Sequence, residues 1–285
     1  EAQTIAGQTE IIVIDSGSEQ NERAIVESYQ RQYPNIRYLR TEQRETVYAA
    51  WNRAILMARG KYLANANTDD RHAPDAFEIM VNTLEEQADV GVVYGDCAVT
   101  RKKNTTLVDG PITGRFRWPD FDRRLLFQVC FIGPQPMWRR SLHNQYGLFD
   151  EHMQSAGDYE FWLRISDKTR FVHIPRILGL YLMAEHSIEH RQSSLSVAEA
   201  QEARQRYWLS RNESIPPSLG SVFLENYQAA PSNGKNFPLV SVIVPTYNRP
   251  KELAVALQSI ANQTYPSVEA IVINDGGKDV ASVLH

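Results

Sequence analysis

Two short acidic stretches carry the residues best suited to chemistry. Asn67-Thr68-Asp69-Asp70 places adjacent carboxylates after an apolar segment. A hard divalent cation such as Mn²⁺ or Mg²⁺ is commonly held by one or two carboxylates, with substrate phosphates completing its octahedron, which is the chemistry of a nucleotide diphosphate site. The same letters ahead of Pro74 also make a good turn and helix cap. Further on, Gly157-Asp158-Tyr159-Glu160-Phe161-Trp162-Leu163-Arg164 sets Asp158 at the start of a helix with aromatic neighbours. A carboxylate half shielded from water gains proton affinity and suits a general base, while an N-cap is the plainer role for the same residue. His186, among Glu185, Ser187 and Glu189, can face a phosphate or metal, or sit as a solvated loop histidine. Dinucleotide-binding, phosphate-loop, nucleophile-elbow and zinc-helix signatures are all missing from the chain.

The elements that must position these groups follow from periodicity. Ile11-Ile12-Val13-Ile14 reads as a buried strand closed by the turn Asp15-Ser16-Gly17-Ser18. A helix over 21–33, a strand over 36–39, a helix over 47–58 stopped by Gly60, a strand over 61–64 and a helix from Pro74 to about Gln87 continue the alternation. Val90 to Tyr94 is the next strand. This order predicts an α/β fold with a mostly parallel sheet flanked by helices, whose ligands gather at the carboxyl ends of the strands, where Asp15, Asp69 and Asp70 all lie. Residues 101–119 read as a long surface loop or lid. Strand-like 171–174 and helices over 158–166 and 197–211 follow.

An internal repeat shapes the domain plan. Ala261-Asn262-Gln263-Thr264 followed by 269–276 resembles Glu1-Ala2-Gln3-Thr4 followed by 10–17. The chain therefore reads as one domain over 1–228 that lacks its own opening strand and helix, a linker over 229–237, and the opening β-α-β of a second domain over 238–285, cut from a longer tandem protein. Residues 239–261 are then expected to complete the first sheet, within the chain or as a strand-swapped homo-oligomer, leaving 269–273 at an edge or disordered.

Composition narrows the partners. The chain has 285 residues and a formal net charge of −4, which gives no basic field for nucleic acid. Its two cysteines, Cys97 and Cys130, are too sparse for a disulfide scaffold and fit a reducing compartment. No apolar run approaches the ~18 residues of a membrane span. The expected location is the cytoplasm or the inner face of its membrane, with membrane contact at most peripheral.

Taken together, these motifs resemble the family 2 glycosyltransferases of the GT-A fold. Val240 to Arg249 is similar to that family's opening strand and nucleotide-contacting end, which implies donor contacts for Pro245, Thr246, Tyr247 and Asn248. Asp15 matches the acidic residue that contacts the base in that family. The run from Arg44-Glu45 through Tyr48-Ala49-Ala50-Trp51-Asn52 and Gly60 to Asn67-Thr68-Asp69-Asp70 resembles the approach to its metal-binding Asp-x-Asp region. Gly147-Leu148-Phe149-Asp150 with 157–164 looks like the acceptor-side segment, with Asp158 in the place of the base. The sequence departs from the pattern at Asn67, which replaces the first acid of the triplet, and at Gly157, which replaces a common Glu. Asn274 rather than Asp275 aligns with Asp15, and the second copy ends before any metal or base motif.

The resemblance implies an inverting transfer from a nucleotide diphosphate sugar, UDP-linked by family habit, to a glycan hydroxyl in bacterial polysaccharide or surface-glycan assembly. Asp158 would be the base, Asp69 and Asp70 would hold the metal, and Asp15, Arg44, Asp69 and His186 would lie on the donor side. The rival reading is a noncatalytic module that binds sugar nucleotides or glycans.

Overall fold

The computed structural model describes residues 3–19, 22–183, 193–209, 227–229, 240–246 and 268–274. The chain divides into two units, Glu1–Asn226 and Tyr227–His285.

The first unit opens as its periodicity predicts. Strand β1 (Ile11–Ser16) leads through helix α1 (Glu22–Gln30) into β2 (Ile36–Thr41), and β1 and β2 pair in parallel from Ile11↔Ile36 to Ser16↔Thr41. Helix α2 (Val47–Met57) follows, then β3 (Tyr62–Ala64), β4 (Arg71–His72) and helix α3 (Ala76–Glu86). Apart from β4, which was not expected, each of these elements begins or ends within a few residues of its expected position.

Beyond α3 the expectation of a mostly parallel sheet fails. The long strand β5 (Val90–Thr100) is the spine of a mixed sheet. One edge carries β6 (Gly114–Phe116) and β7 (Met137–Arg139) end to end, both antiparallel to it, and β7 continues antiparallel to β3. On the other edge β8 (Arg170–Leu182) runs parallel to β5, and β4 lies antiparallel to β8. The physical reason is the connections. After β5 the chain returns through a loop instead of a crossover helix, so β6 must run antiparallel. Part of the loop expected over 101–119 is therefore strand β6. The strand read at 171–174 extends over Arg170–Leu182 as β8, whose register against β5 shifts around Gly95 and Asp96.

Short helices α4 (Arg123–Leu126) and α5 (Ser141–Tyr146) precede α6 (Gly157–Ile165), and α7 (Ser193–Leu209) follows β8. The core joins Met80 and Leu84 of α3 to Val90 and Val93 of β5 and Leu178 of β8. A second, aromatic cluster of Trp138, His143, Phe149, Phe161 and Trp162 seats α6. Phe161 stacks on His143 with centroids 4.5 Å apart, and Trp162 meets Trp138 edge-on at 5.5 Å. Rings of this size dominate burial energetics, so the start of α6 rests on rigid support.

The second unit contains β9 (Tyr227–Ala229), β10 (Val240–Thr246) and β11 (Val268–Asn274). β10 and β11 pair in parallel from Val240↔Val268 to Thr246↔Asn274. The helix of the β-α-β expected over 238–285 lies outside the described residues. Among the described residues no helix is long and apolar enough to cross a membrane.

A histidine ties β8 to β5. His173 lies 2.8 Å from Asp96 Oδ1 through Nε2 and 3.2 Å from Asp120 Oδ1 through Nδ1, and it stacks on Tyr94. Burial opposes its protonation, but the two carboxylates overcome this and raise its pKa above the ordinary value. A raised folded-state pKa adds stability that is complete below the unfolded value of about 6.5 and is lost as pH rises through the folded value. The urea midpoint is therefore expected to fall as pH rises from about 6 to about 8. His173→Gln should lack that part of the fall, and equal pH dependence in both proteins would refute the linkage.

Candidate active site

The turn after β1 is the first component. Asp15 is 6% exposed. Its Oδ2 accepts hydrogen bonds from the Tyr38 hydroxyl at 2.5 Å and Arg40 Nη1 at 3.0 Å, and its Oδ1 accepts one from the Ser18 amide at 2.9 Å. The parallel register that sets Asp15 beside Arg40 and Val13 beside Tyr38 brings these donors to it. Burial opposes the charge, but the Tyr38 and Ser18 hydrogen bonds and the Arg40 guanidinium outweigh it, and the pKa falls to about 2. Asp15 is thus ionised and engaged by its own sheet and turn.

That turn docks the segment carrying Arg44. Gly17 has φ +63°, and a Cβ there would lie 2.8 Å from the Gln43 carbonyl carbon and 2.9 Å from the Arg44 nitrogen, so glycine is required on both counts. The Glu45 amide donates to Ser16 Oγ at 2.6 Å. An open groove of about 530 Å³ lies alongside, lined in part by Arg44, Thr46, Asn52, Arg53, Glu151 and His152.

The second component couples α2 to α6. Thr46 caps α2 by accepting from the Ala49 amide at 3.2 Å and donates to the Glu151 carbonyl at 2.9 Å. Asn52, 2% exposed, exchanges hydrogen bonds with the Phe149 backbone: its Nδ2 donates to the carbonyl at 2.9 Å and its Oδ1 accepts from the amide at 3.0 Å. With these clamps in place, the buried Tyr48 hydroxyl donates to Asp158 Oδ1 at 2.9 Å. The same oxygen accepts the Tyr159 amide at 2.9 Å. Burial and the Asp158 charge push the Tyr48 pKa well up, which keeps the hydroxyl a donor. Asp158 itself is only half-buried at the first turn of α6. Gly157 makes the approach feasible: a Cβ there would come within 2.7 Å of the Tyr48 ring.

The third component is the turn after β3. Its adjacent acids part company. Asp70 is 7% exposed, and it accepts from the Leu182 amide at 3.1 Å and from Asn67 Nδ2 at 3.1 Å, tying the turn to the end of β8. Asp69 is exposed. Among the described residues no three His, Cys, Asp or Glu side chains gather as a metal-holding group. An octahedral ion that keeps its waters and takes substrate phosphates needs only one or two protein carboxylates, and exposed Asp69 suits that role.

The structure therefore joins the Asp15 turn to Arg44 and brings Tyr48 to Asp158, while the Asp69-Asp70 turn is fastened to β8. Pro245 and Thr246 end β10 in the second unit, and Tyr247, Asn248 and His186 lie outside the described residues. Sequence reasoning passed over Tyr48 and Asn52 as chemically active positions. They lie in the run 44–52 quoted for the family resemblance, outside the apolar helical face of Val47, Ala50, Trp51, Ala54, Ile55 and Ala58, and no local signal showed that each bonds a partner about a hundred residues away.

The profile of glycosyl transferase family 2 matches residues 2–147 and 241–282, and the chain belongs to that family. A protein designated y4gI from Sinorhizobium fredii is 28% identical over 96% of this chain, which spans 30% of that protein. Chondroitin synthase from Escherichia coli is 24% identical over 59% of the chain, covering 24% of that enzyme. The chain thus spans less than a third of the length of either relative. Among solved structures, S. aureus TarS 1-349 in complex with UDP-GlcNAc superposes with a TM-score of 0.57 at 16% identity, over 75% of this chain and 61% of that one. The mannosyltransferase PcManGT from Pyrobaculum calidifontis, in complex with GDP-Man and Mn²⁺, superposes with 0.54 at 17% identity, over 76% and 59%. These likenesses establish a GT-A-like fold.

A hydrogen bond to a charged acceptor contributes about 1.5–3 kcal/mol. A double-mutant cycle of Tyr48→Phe and Asp158→Asn, read by urea unfolding, should give a coupling energy in that range; additivity would show the bond to be energetically idle. Gly157→Ala should cost about 1–3 kcal/mol by driving the Tyr48 ring out of place, with Tyr48→Ala relieving most of that loss.

Proposed function

We propose that this chain is the catalytic portion of an inverting glycosyltransferase that moves a sugar from a nucleotide diphosphate donor, UDP-linked in the first instance, to a glycan hydroxyl. The observation that carries the reading is the half-buried Asp158 carboxylate, fixed by Tyr48 and the first turn of α6 in a chain of this family. TarS with UDP-GlcNAc and PcManGT with GDP-Man share the fold and support the donor class.

In this mechanism Asp158 removes the proton of the acceptor hydroxyl as its oxygen bonds to the anomeric carbon on the face opposite the leaving group. The bond from that carbon to the diphosphate oxygen breaks, and the sugar inverts. Proton transfer to a positioned carboxylate contributes typically ~10²–10⁴ in rate. Tyr48 orients the carboxylate and, being held protonated, does not compete for the proton. Arg44, whose segment packs on the Asp15 turn, would meet the negative charge of the donor. Asp69 would hold a Mn²⁺ or Mg²⁺ ion, and its charge would neutralise the departing diphosphate. Asp70, committed to the Leu182 amide, shapes the turn that presents Asp69.

The test incubates the chain with radiolabelled UDP-GlcNAc, UDP-glucose and GDP-mannose and a panel of oligosaccharide acceptors, with and without Mn²⁺. Donor-dependent, metal-stimulated transfer is expected. Asp158→Asn should lower kcat by about 10²–10⁴ with donor binding retained by calorimetry, and Asp69→Asn should weaken the metal dependence. Tight donor binding with no transfer to any acceptor would instead identify a binding module.

A further inference from the structure

The loop that delivers α6 has no side chain of its own to cap the helix. Ala156 occupies the N-cap position and makes no side-chain cap bond. The first amides of a helix need partners from elsewhere, and a negative charge there is additionally favoured by the helix dipole. For the N-cap amide and the two that precede it, the partner comes from α7. Glu199, 7% exposed, accepts the Gln154 amide through Oε1 at 2.9 Å and the Ser155 and Ala156 amides through Oε2 at 2.8 Å and 3.0 Å. Ser196, one turn earlier on α7, places its Oγ 2.6 Å from Ser155 Oγ.

The rest of α7 is anchored independently of this loop. Tyr207 packs on Phe127 with ring centroids 4.5 Å apart, and Arg204 Nη1 donates to the Gln128 carbonyl at 2.9 Å. The carboxylate of Glu199 is therefore presented by a fixed support, and the three amides it gathers are those of the residues leading directly into Gly157 and Asp158.

We propose that Glu199 is a positioning residue for Asp158: by collecting three consecutive amides it fixes the entry of α6, and so the distance and direction from which the Asp158 carboxylate meets the acceptor hydroxyl. The proposal rests on the reading of Asp158 as the base. Displacing a reacting group by about 1 Å can cost on the order of 10² in rate. Glu199→Gln keeps the side chain's shape and one accepting oxygen but turns an NH₂ group toward amide donors, so the loop must shift.

Transfer kinetics of the full chain provide the test. Glu199→Gln should lower kcat by about 10- to 100-fold, leave the donor KM within about twofold, and move the acidic limb of the kcat–pH profile, which the base controls. Leu84→Ala, which opens a cavity in the core joining α3, β5 and β8, should lower the melting temperature and leave kcat and the pH profile unchanged. Parallel loss of kcat and stability in both variants, with the pH profile unmoved, would overturn the proposal in favour of a general brace. Should Glu199→Gln fail to fold, Ser196→Ala removes only the hydroxyl contact to Ser155; a fall in kcat of at least about twofold with a displaced acidic limb supports the assignment, and wild-type kinetics refute it. Asp158→Asn, assayed alongside, separates the two readings: full activity there removes the base, whereas a dead Asp158→Asn beside an unaltered Glu199→Gln removes only the clamp.

Discussion

A carboxylate withdrawn from water costs several kcal/mol unless donors replace its hydration, and that constraint organises this molecule. Asp15, Asp70, Asp96 and Glu199 are all buried, and each accepts at least one backbone amide: those of Ser18, Leu182, Trp118 and the 154–156 run respectively. Asp70, Asp96 and Glu199 in this way bind segments distant in sequence, and Asp15 joins its own turn to Tyr38 and Arg40 of β2. The loops held in this way are the ones that follow β1, precede α6 and border β8. Acidic side chains serve here first as fasteners, whereas Asp69 is exposed and Asp158 only half-buried.

The aromatic cluster does the complementary work. Phe149 is the hinge of it: its backbone is held by Asn52 of α2 and its ring touches Tyr48, Trp51, Trp138 and Phe161. The segment around Phe149 and the first half of α2 are thereby one packed body. A polar contact between two such segments can be short and persistent only when the apolar contacts behind it are already in place.

Much of the first third of the chain was legible because each element there is long enough to show its period. The run Ile11–Ile14, the helical spacing from Val47 to Ala58 and the Pro74 start gave β1, α2 and α3 close to their observed limits. The sheet's direction was not legible. β6 and β7 are three residues each, too short for alternation to register, and direction depends on the path between strands, which composition does not encode. At the site, Asp69 and Asp70 are identical letters, yet only Asp70 finds an inward partner, a backbone amide 112 residues away. Glu199 sits in a helix that reads as plainly charged, and nothing near it in sequence announces amides 43 to 45 residues upstream. What the sequence displayed was the identity of groups able to react; which of them are consumed by the fold emerged only from long-range contacts.

The close fit of Gly157 beneath the Tyr48 ring bears on how such proteins diverge. A homologue carrying a bulkier residue at this position cannot keep a tyrosine lying where Tyr48 lies, so the two sites are free to drift only as a coordinated pair. Lineages that made the exchange must orient the aligned aspartate by some other donor, and equivalence of that acid in an alignment does not guarantee equivalence in what steers it.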